Sequence, residues 1–363
     1  MTEAVAGRAP RAGASADVAR RHAPELVTDG IERPITVDQT NASVVVDEAV
    51  IVKWFRPPVA AAHRVPVVDH LREVGFSSMP VPFGAERHSG HIVATVSEFV
   101  ADALDGWDWF VDAMTGCADG LVTRERVVAA AERVGALAAR LHVALTTPST
   151  VVPRPVAEVD ASLERDRCRT LLAEALASVT DEHARFVLEG AADRTRRCFD
   201  AMPTGPTPAC MLHGDLHLGQ FLETPTGRLV VTDFDGNPLV DVAEHGRLRP
   251  LAVDVAGLVQ SIDHAGRVAQ RRRTDAAAML DALTAECVEA TLAAHLEGLR
   301  AGDRLHLVDE RLLGALRVAQ ELHELVYAAR HLPPWSYAPT ATLAAIFPAI
   351  GGAASGSDDG TGV

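Results

Sequence analysis

The sequence predicts an α+β chain in two parts, an antiparallel sheet with one inserted helix followed by a larger, mainly helical region. Three observations lead there. Residues 30–99 hold short Val- and Ile-rich runs broken by Pro, Gly, Asp and Ser. After Ala101 the composition shifts to long Ala, Leu, Arg and Glu stretches with helical spacing. The helical text is interrupted once, over residues 211–239, by short apolar runs crowded with acids and imidazoles.

Taken in order, ITVDQTNASVVVDEAVIVKWF reads as two or three hairpin-linked strands, with polar punctuation at Asp38 to Ser43 and again at Asp47 and Glu48. Residues 63–74 read as a helix with Pro66 in its first turn. Two more strands are expected in SSMPVPFGAERHSGHIVATVSEFV, the second over 91–99. Helices are predicted at 123–144, 159–177, 181–199, 274–299 and 311–331. Between them MLHG, QFLE and RLVVTDF read as short strands around the turn residues Pro225, Thr226 and Gly227. The divisions expected are 1–100 for the sheet lobe with its N-terminal segment, 101–349 for the helical lobe, and a disordered tail over 350–363, which is too poor in apolar side chains to fold.

Composition narrows the function. Of 363 residues 48% are apolar, enough for a sizeable core, and 34 Lys and Arg against 49 Asp and Glu leave a net charge of -15. Such a balance argues against binding a phosphate backbone, and the dense basic run at Arg271 to Arg273 reads as a solvated helix face. Five widely spaced cysteines with no C-x-x-C pair speak against a disulfide framework or a zinc ribbon and fit a reducing compartment. No apolar run approaches the ~20 residues that span a bilayer, and the N-terminus lacks the apolar stretch of a secretory signal. The expectation is a cytoplasmic monomer or homodimer acting on small molecules, with neither nucleic acid nor membrane as partner.

HGDLH admits two readings. His213, Asp215 and His217 alternate as metal ligands on one strand would, but a hydrolytic metal site would want further imidazoles close by, and only Asp233 and Asp235 follow. Those carboxylates suit a hard, oxygen-preferring cation such as Mg²⁺ better than zinc. The second reading is a catalytic loop and a metal loop joined by a hairpin. Asp215 would accept the proton of a hydroxyl nucleophile, Gln220 would offer an amide oxygen to Mg²⁺, and Asp233 would hold the ion that bridges phosphates. This layout calls for an upstream strand lysine, which Lys53 in AVIVKWF supplies.

With these residues in place the sequence resembles the aminoglycoside phosphotransferase-like branch of the protein-kinase fold, in which H-G-D-x-x-x-x-N/Q replaces H-R-D-x-x-x-x-N. The likeness spans residues 30–340 in order of elements. HGDLHLGQ, DFDGNPL and DVAGLVQSIDHA are most similar to maltokinases and to the related actinobacterial glucosamine kinases. The resemblance implies a bilobal ATP-dependent sugar kinase using Mg²⁺, with Lys53 on the nucleotide phosphates and a helix acid, Asp69 or Glu73, as its partner. It implies that DQTNAS presents Asn41 and Ser43 to phosphate oxygens, and that backbone groups of Glu98 and Val100 bond adenine. His213 would brace the loop. His217 could touch substrate or pack the loop, and Asp235 could lie on the metal or behind it.

The acceptor clue lies in ALRVAQELHELVYAARHLPPWSYAP. Leu312, Ala315, Ala319, Leu322, Val326 and Ala329 make an apolar stripe, and Gln320, Glu321 and Glu324 are expected on the polar side, either as a solvated face or aimed at a sugar. Trp335 follows, in a chain with only 4% aromatic residues, and an indole face suits the C–H surface of a sugar. The Q-E-x-x-E run is closer to glucosamine kinases, which implies the 6-hydroxyl of D-glucosamine as acceptor, with maltose at its anomeric hydroxyl as runner-up and an aminoglycoside third. A non-catalytic nucleotide-binding protein of the same fold is the alternative outside enzymes; intact Lys53, Asp215, Gln220 and Asp233 count against it.

Overall fold

The computed structural model describes residues 11–35, 41–60, 67–236 and 247–348. The expected tail and the turn residues Asp38 to Thr40 lie outside that set. The first lobe is a five-stranded antiparallel sheet in the order β1-β2-β3-β5-β4, made of β1 (Glu32–Ile35), β2 (Ala42–Val46), β3 (Val50–Ala60), β4 (Pro82–His88) and β5 (His91–Glu98). Strand alternation decides what each face does. Val50 and Val52 on β3 and Ala94 and Val96 on β5 point one way and are buried under a helix, α1 (Ala14–His22), through Ala16, Val18 and Ala19. Lys53 and Thr95, paired across the same two strands, therefore point the other way, toward the second lobe.

The helix α1 shows where the N-terminal segment docks. Its first turn is capped from a distance by Glu32, whose carboxylate accepts the Gly13 and Ala16 N–H groups at 2.9 and 2.8 Å. Trp54 on β3 ties it down by donating its indole N–H to Ser15 Oγ at 3.0 Å. The inserted helix is α2 (Val67–Glu73), and the other residues expected in its first turn, 63–66, lie outside the described residues.

The second lobe is mainly helical: α3 (Gly106–Ala118), α4 (Arg124–Leu145), α5 (Ser162–Ser178), α6 (Glu182–Asp200), α7 (Ala252–Arg272), α8 (Ala277–Ala301), α9 (Glu310–Arg330) and α10 (Tyr337–Ile346). Two antiparallel ribbons complete it. One joins β6 (Leu104–Asp105), β9 (Phe221–Glu223) and β10 (Leu229–Val231); the other pairs β7 (Val156–Asp160) with β8 (Pro206–Cys210). One apolar cluster unites α3, α4, α7 and α8 with Met211, Leu216, Leu218 and Phe221, so the acid-rich loop rests directly on the core. A second cluster packs α5, α6 and α9 together. Among the described residues no helix is long and apolar enough to cross a membrane.

Candidate active site

The loop after β8 carries the chemistry, and its shape is set from below by α7. Asp254 in the first turn of α7 is fully buried and accepts three hydrogen bonds: the His213 N–H at 2.8 Å and His142 Nε2 at 3.2 Å on one oxygen, the Gly214 N–H at 3.0 Å on the other. Burial alone would push its pKa up, but the His142 bond, the neighbouring imidazoles and the Gly214 N–H bring it below the ordinary carboxylate value. Gly214 turns the chain at φ 88°, where glycine carries no steric penalty. Gly257 on α7 lets the loop come close, since a Cβ there would stand 2.8 Å from the Leu216 carbonyl oxygen.

His213 braces the loop as expected. Its Nδ1 accepts the Asp215 N–H at 3.3 Å and its Nε2 lies 2.9 Å from the Thr232 carbonyl, which fixes the tautomer with the proton on Nε2. The same backbone seam joins the two loops, because the Thr232 N–H donates to the Gln220 carbonyl at 2.8 Å. Asp233 follows with φ 59°, a left-handed conformation that aspartate adopts more readily than most side chains.

Lys53, Asp215, Gln220 and Asp233 thus lie close together. Lys53 Nζ lies 2.8 Å from Asp233 Oδ1 and 3.1 Å from Asp235 Oδ2. Neither helix acid expected as its partner serves: Glu73 holds the Thr150 N–H and hydroxyl at 2.6 and 2.7 Å, and Asp69 is exposed. Asp215 has its pKa raised, chiefly by burial; His217 and His213 oppose this, while the charges of Asp233 and Glu324 add to it. His217 Nδ1 accepts the Gly219 N–H at 3.1 Å, and its Nε2 stands 4.0 Å from Asp215 Oδ2 and 3.1 Å from the side-chain amide nitrogen of Gln220. The donors available to a metal are an amide oxygen and carboxylates, a set that fits Mg²⁺. Ser43 belongs to β2 rather than to the turn before it, buried and in register with Lys53; Asn41 is half-buried just before that strand. At the strand end the Glu98 N–H donates to the Val81 carbonyl at 2.8 Å, so an adenine bond there would fall to its carbonyl.

On the acceptor side α9 brings Glu324 toward the loop. The Trp335 indole N–H donates to Glu324 Oε2 at 2.8 Å, and Gln320 Nε2 donates to Oε1 at 3.3 Å. Glu321 corrects the expectation of a polar-side residue: it is 0% exposed, between His264 on α7 at 2.8 Å and Gln260, with no surface to offer a sugar. Four residues beside the site carried no sequence signal beyond their composition. His323 and Tyr327 feel both Asp215 and Glu324; burial dominates their shifts, downward for His323 and upward for Tyr327. Trp107 meets Trp335 edge-on at 5.4 Å, and Asp105, its pKa raised by burial, lies near His217.

No family model matches the chain. A curated glucosamine kinase from Streptacidiphilus jiangxiensis is 37% identical over 327 residues, covering 87% of this chain and 74% of that protein. One from Mycolicibacterium smegmatis (strain ATCC 700084 / mc(2)155) is 36% identical over 321 residues, covering 87% and 79%. The chain belongs to the glucosamine kinase family. A solved glucosamine kinase in complex with glucosamine, ADP and inorganic phosphate superposes with a TM-score of 0.73 at 35% identity, over 87% of this chain and 76% of that one. A spectinomycin phosphotransferase at 10% identity and a TM-score of 0.52, covering 90% and 93% of the two chains, shares the fold. The bilobal aminoglycoside phosphotransferase-like architecture expected from HGDLHLGQ is therefore the architecture of this glucosamine kinase family member.

Proposed function

We propose that this protein transfers the γ-phosphoryl group of ATP to the 6-hydroxyl of D-glucosamine. The observation that carries the reading is the proximity of Lys53, Asp215, Gln220 and Asp233, with Glu324, held by Trp335, near enough to Asp215 to raise its pKa. In this family the likeness to a chain that binds glucosamine and ADP supports the choice of both substrates.

Asp215 accepts the proton of the acceptor hydroxyl as that oxygen attacks the γ-phosphorus and the bond to the leaving ADP oxygen breaks. Lys53 binds the phosphates, with Asn41 and Ser43 beside it and the backbone of Glu98 and Val100 on the adenine. Gln220 and Asp233 are the residues that would hold Mg²⁺, which supplies charge neutralisation on the phosphates when bound. Glu324 meets the ammonium group by a charge-assisted hydrogen bond, Gln320 orients that carboxylate, Trp335 covers the sugar's C–H face, and His217 lines the acceptor side of Asp215. Most of the rate comes from positioning and electrostatics.

An ADP-release assay across glucosamine, glucose, maltose and an aminoglycoside tests the reading. Glucosamine should give the highest kcat/KM; a preference for maltose or the antibiotic would replace the acceptor, and no turnover with any of the four would return the chain to a nucleotide-binding role.

A further inference from the structure

Under the acceptor site, α7 and α9 bury a ladder of polar side chains that the chemistry does not use. Arg317 Nε donates to Gln260 Oε1 at 2.5 Å, Gln260 donates its amide N–H to Glu321 Oε1, and His264 Nε2 lies 2.8 Å from Glu321 Oε2. His264 and Glu321 are 4% and 0% exposed in their side chains. Burial opposes a charge on either partner and raises the Glu321 pKa, yet Glu321, with Glu324 and Asp263, raises the His264 pKa to about 9, which favours a protonated imidazole on the carboxylate. Two helices could be held together as well by apolar side chains, and a buried ion pair gives little net stability over such a pair. What it gives is direction. Gln260 and His264 each occupy one oxygen of Glu321, so the imidazole plane is set.

That plane ends against the acceptor site. His264 meets the Trp335 ring at 5.5 Å and 87°, and Trp107 and Tyr337 meet it edge-on at 5.4 and 5.9 Å. Trp335 sits on a single turn, Pro333–Ser336, and donates its one N–H to Glu324. We propose that the His264–Glu321 pair is a positioning device for acceptor recognition: it holds the Trp335 indole at the angle from which its N–H fixes Glu324 toward the acceptor's ammonium group. This rests on the reading of Glu324 as the residue that meets the amino group.

The test replaces both partners, since removing one would strand a buried charge. In the His264→Leu/Glu321→Leu double variant the KM for glucosamine should rise by about tenfold, the loss of one aligned charge-assisted hydrogen bond, while the KM for ATP stays within about twofold and kcat falls less than glucosamine affinity. Tryptophan emission should shift as the indole is released. A double variant with wild-type glucosamine KM, or one in which both KM values and kcat worsen together, overturns the proposal. If it fails to fold, the neutral, hydrogen-bonding double variant His264→Gln/Glu321→Gln is judged by the same split. Glu324→Gln, measured alongside, separates the two ideas. An unchanged glucosamine KM there refutes the acceptor reading; a raised one beside a wild-type double variant refutes only the positioning role.

Discussion

Asp254→Asn isolates what holds the catalytic loop. The carboxylate takes the His213 N–H and His142 Nε2 on one oxygen and the Gly214 N–H on the other, all in the fully buried base of the loop. An amide of the same shape keeps one acceptor oxygen and turns an N–H₂ toward the third donor. Hydrogen bonds to an ionised acceptor contribute about 1.5–3 kcal/mol each and neutral ones about 0.5–1.5, so the two retained bonds lose about 1 kcal/mol apiece. The stranded donor costs about 1–3 kcal/mol more, for a total loss of about 3–5 kcal/mol in stability. Urea unfolding of the purified variant measures it directly. Turnover should fall too, because Asp215 is the next residue after Gly214 and moves with it. A loss below about 1 kcal/mol with wild-type kcat would show that the loop is held by something other than this carboxylate.

Asp215→Asn should lower turnover by about 10²–10⁴, the usual contribution of a positioned base, while ATP affinity measured by calorimetry stays close to wild type; a fully active variant removes Asp215 from its role. Stability should also depend on pH through His264. Its folded pKa, about 9, lies above the ordinary 6.5, so its contribution is complete below pH 6.5 and is lost as pH rises through about 9. Urea melts between those values should show stability falling with pH, and a slope that survives in the His264→Leu/Glu321→Leu variant would assign the effect elsewhere.

The parts of this architecture that are local in sequence were legible there. Lys53 could be placed because AVIVKWF reads as a strand and the phosphoryl-transfer layout calls for a lysine there; Val50 and Val52 are buried on the face opposite it. The loop from His213 to Gln220 and the aspartate at 233 stood out because so many polar groups lay between apolar runs. What was not legible depends on pairings that spacing does not encode. Lys53 finds Asp233 and Asp235, 180 and 182 positions away, rather than an acid on the nearby helix. Glu321 was misread because the stripe of apolar positions was taken as the whole buried face: Val318 and Leu325, three before it and four after, are buried too, so the buried arc is wider than that stripe. Its charge also argued for the surface, and the partners that reverse that argument, His264 and Gln260, come from α7. The helix α7 was itself hidden behind its polar positions at Asp254, Gln260, Asp263 and His264.

The charges around Asp215 carry one more consequence for discrimination between acceptors. Burial raises its pKa, and Glu324 and Asp233 raise it further, so the empty site works against the ionised form that the base needs. An ammonium group bound at Glu324 would cancel that carboxylate's repulsion of Asp215 and favour ionisation as the reaction begins. Glucose brings no such charge. The acid limb of the kcat profile, which reports groups in the substrate complex, should therefore lie at lower pH with glucosamine than with glucose, beyond any difference in KM. Asp233, and the cation it would hold, are common to both acceptors and drop out of the comparison. Coincident limbs for the two sugars would mean that the amino group is bound too far from Asp215 to act on it, and that selectivity rests on binding alone.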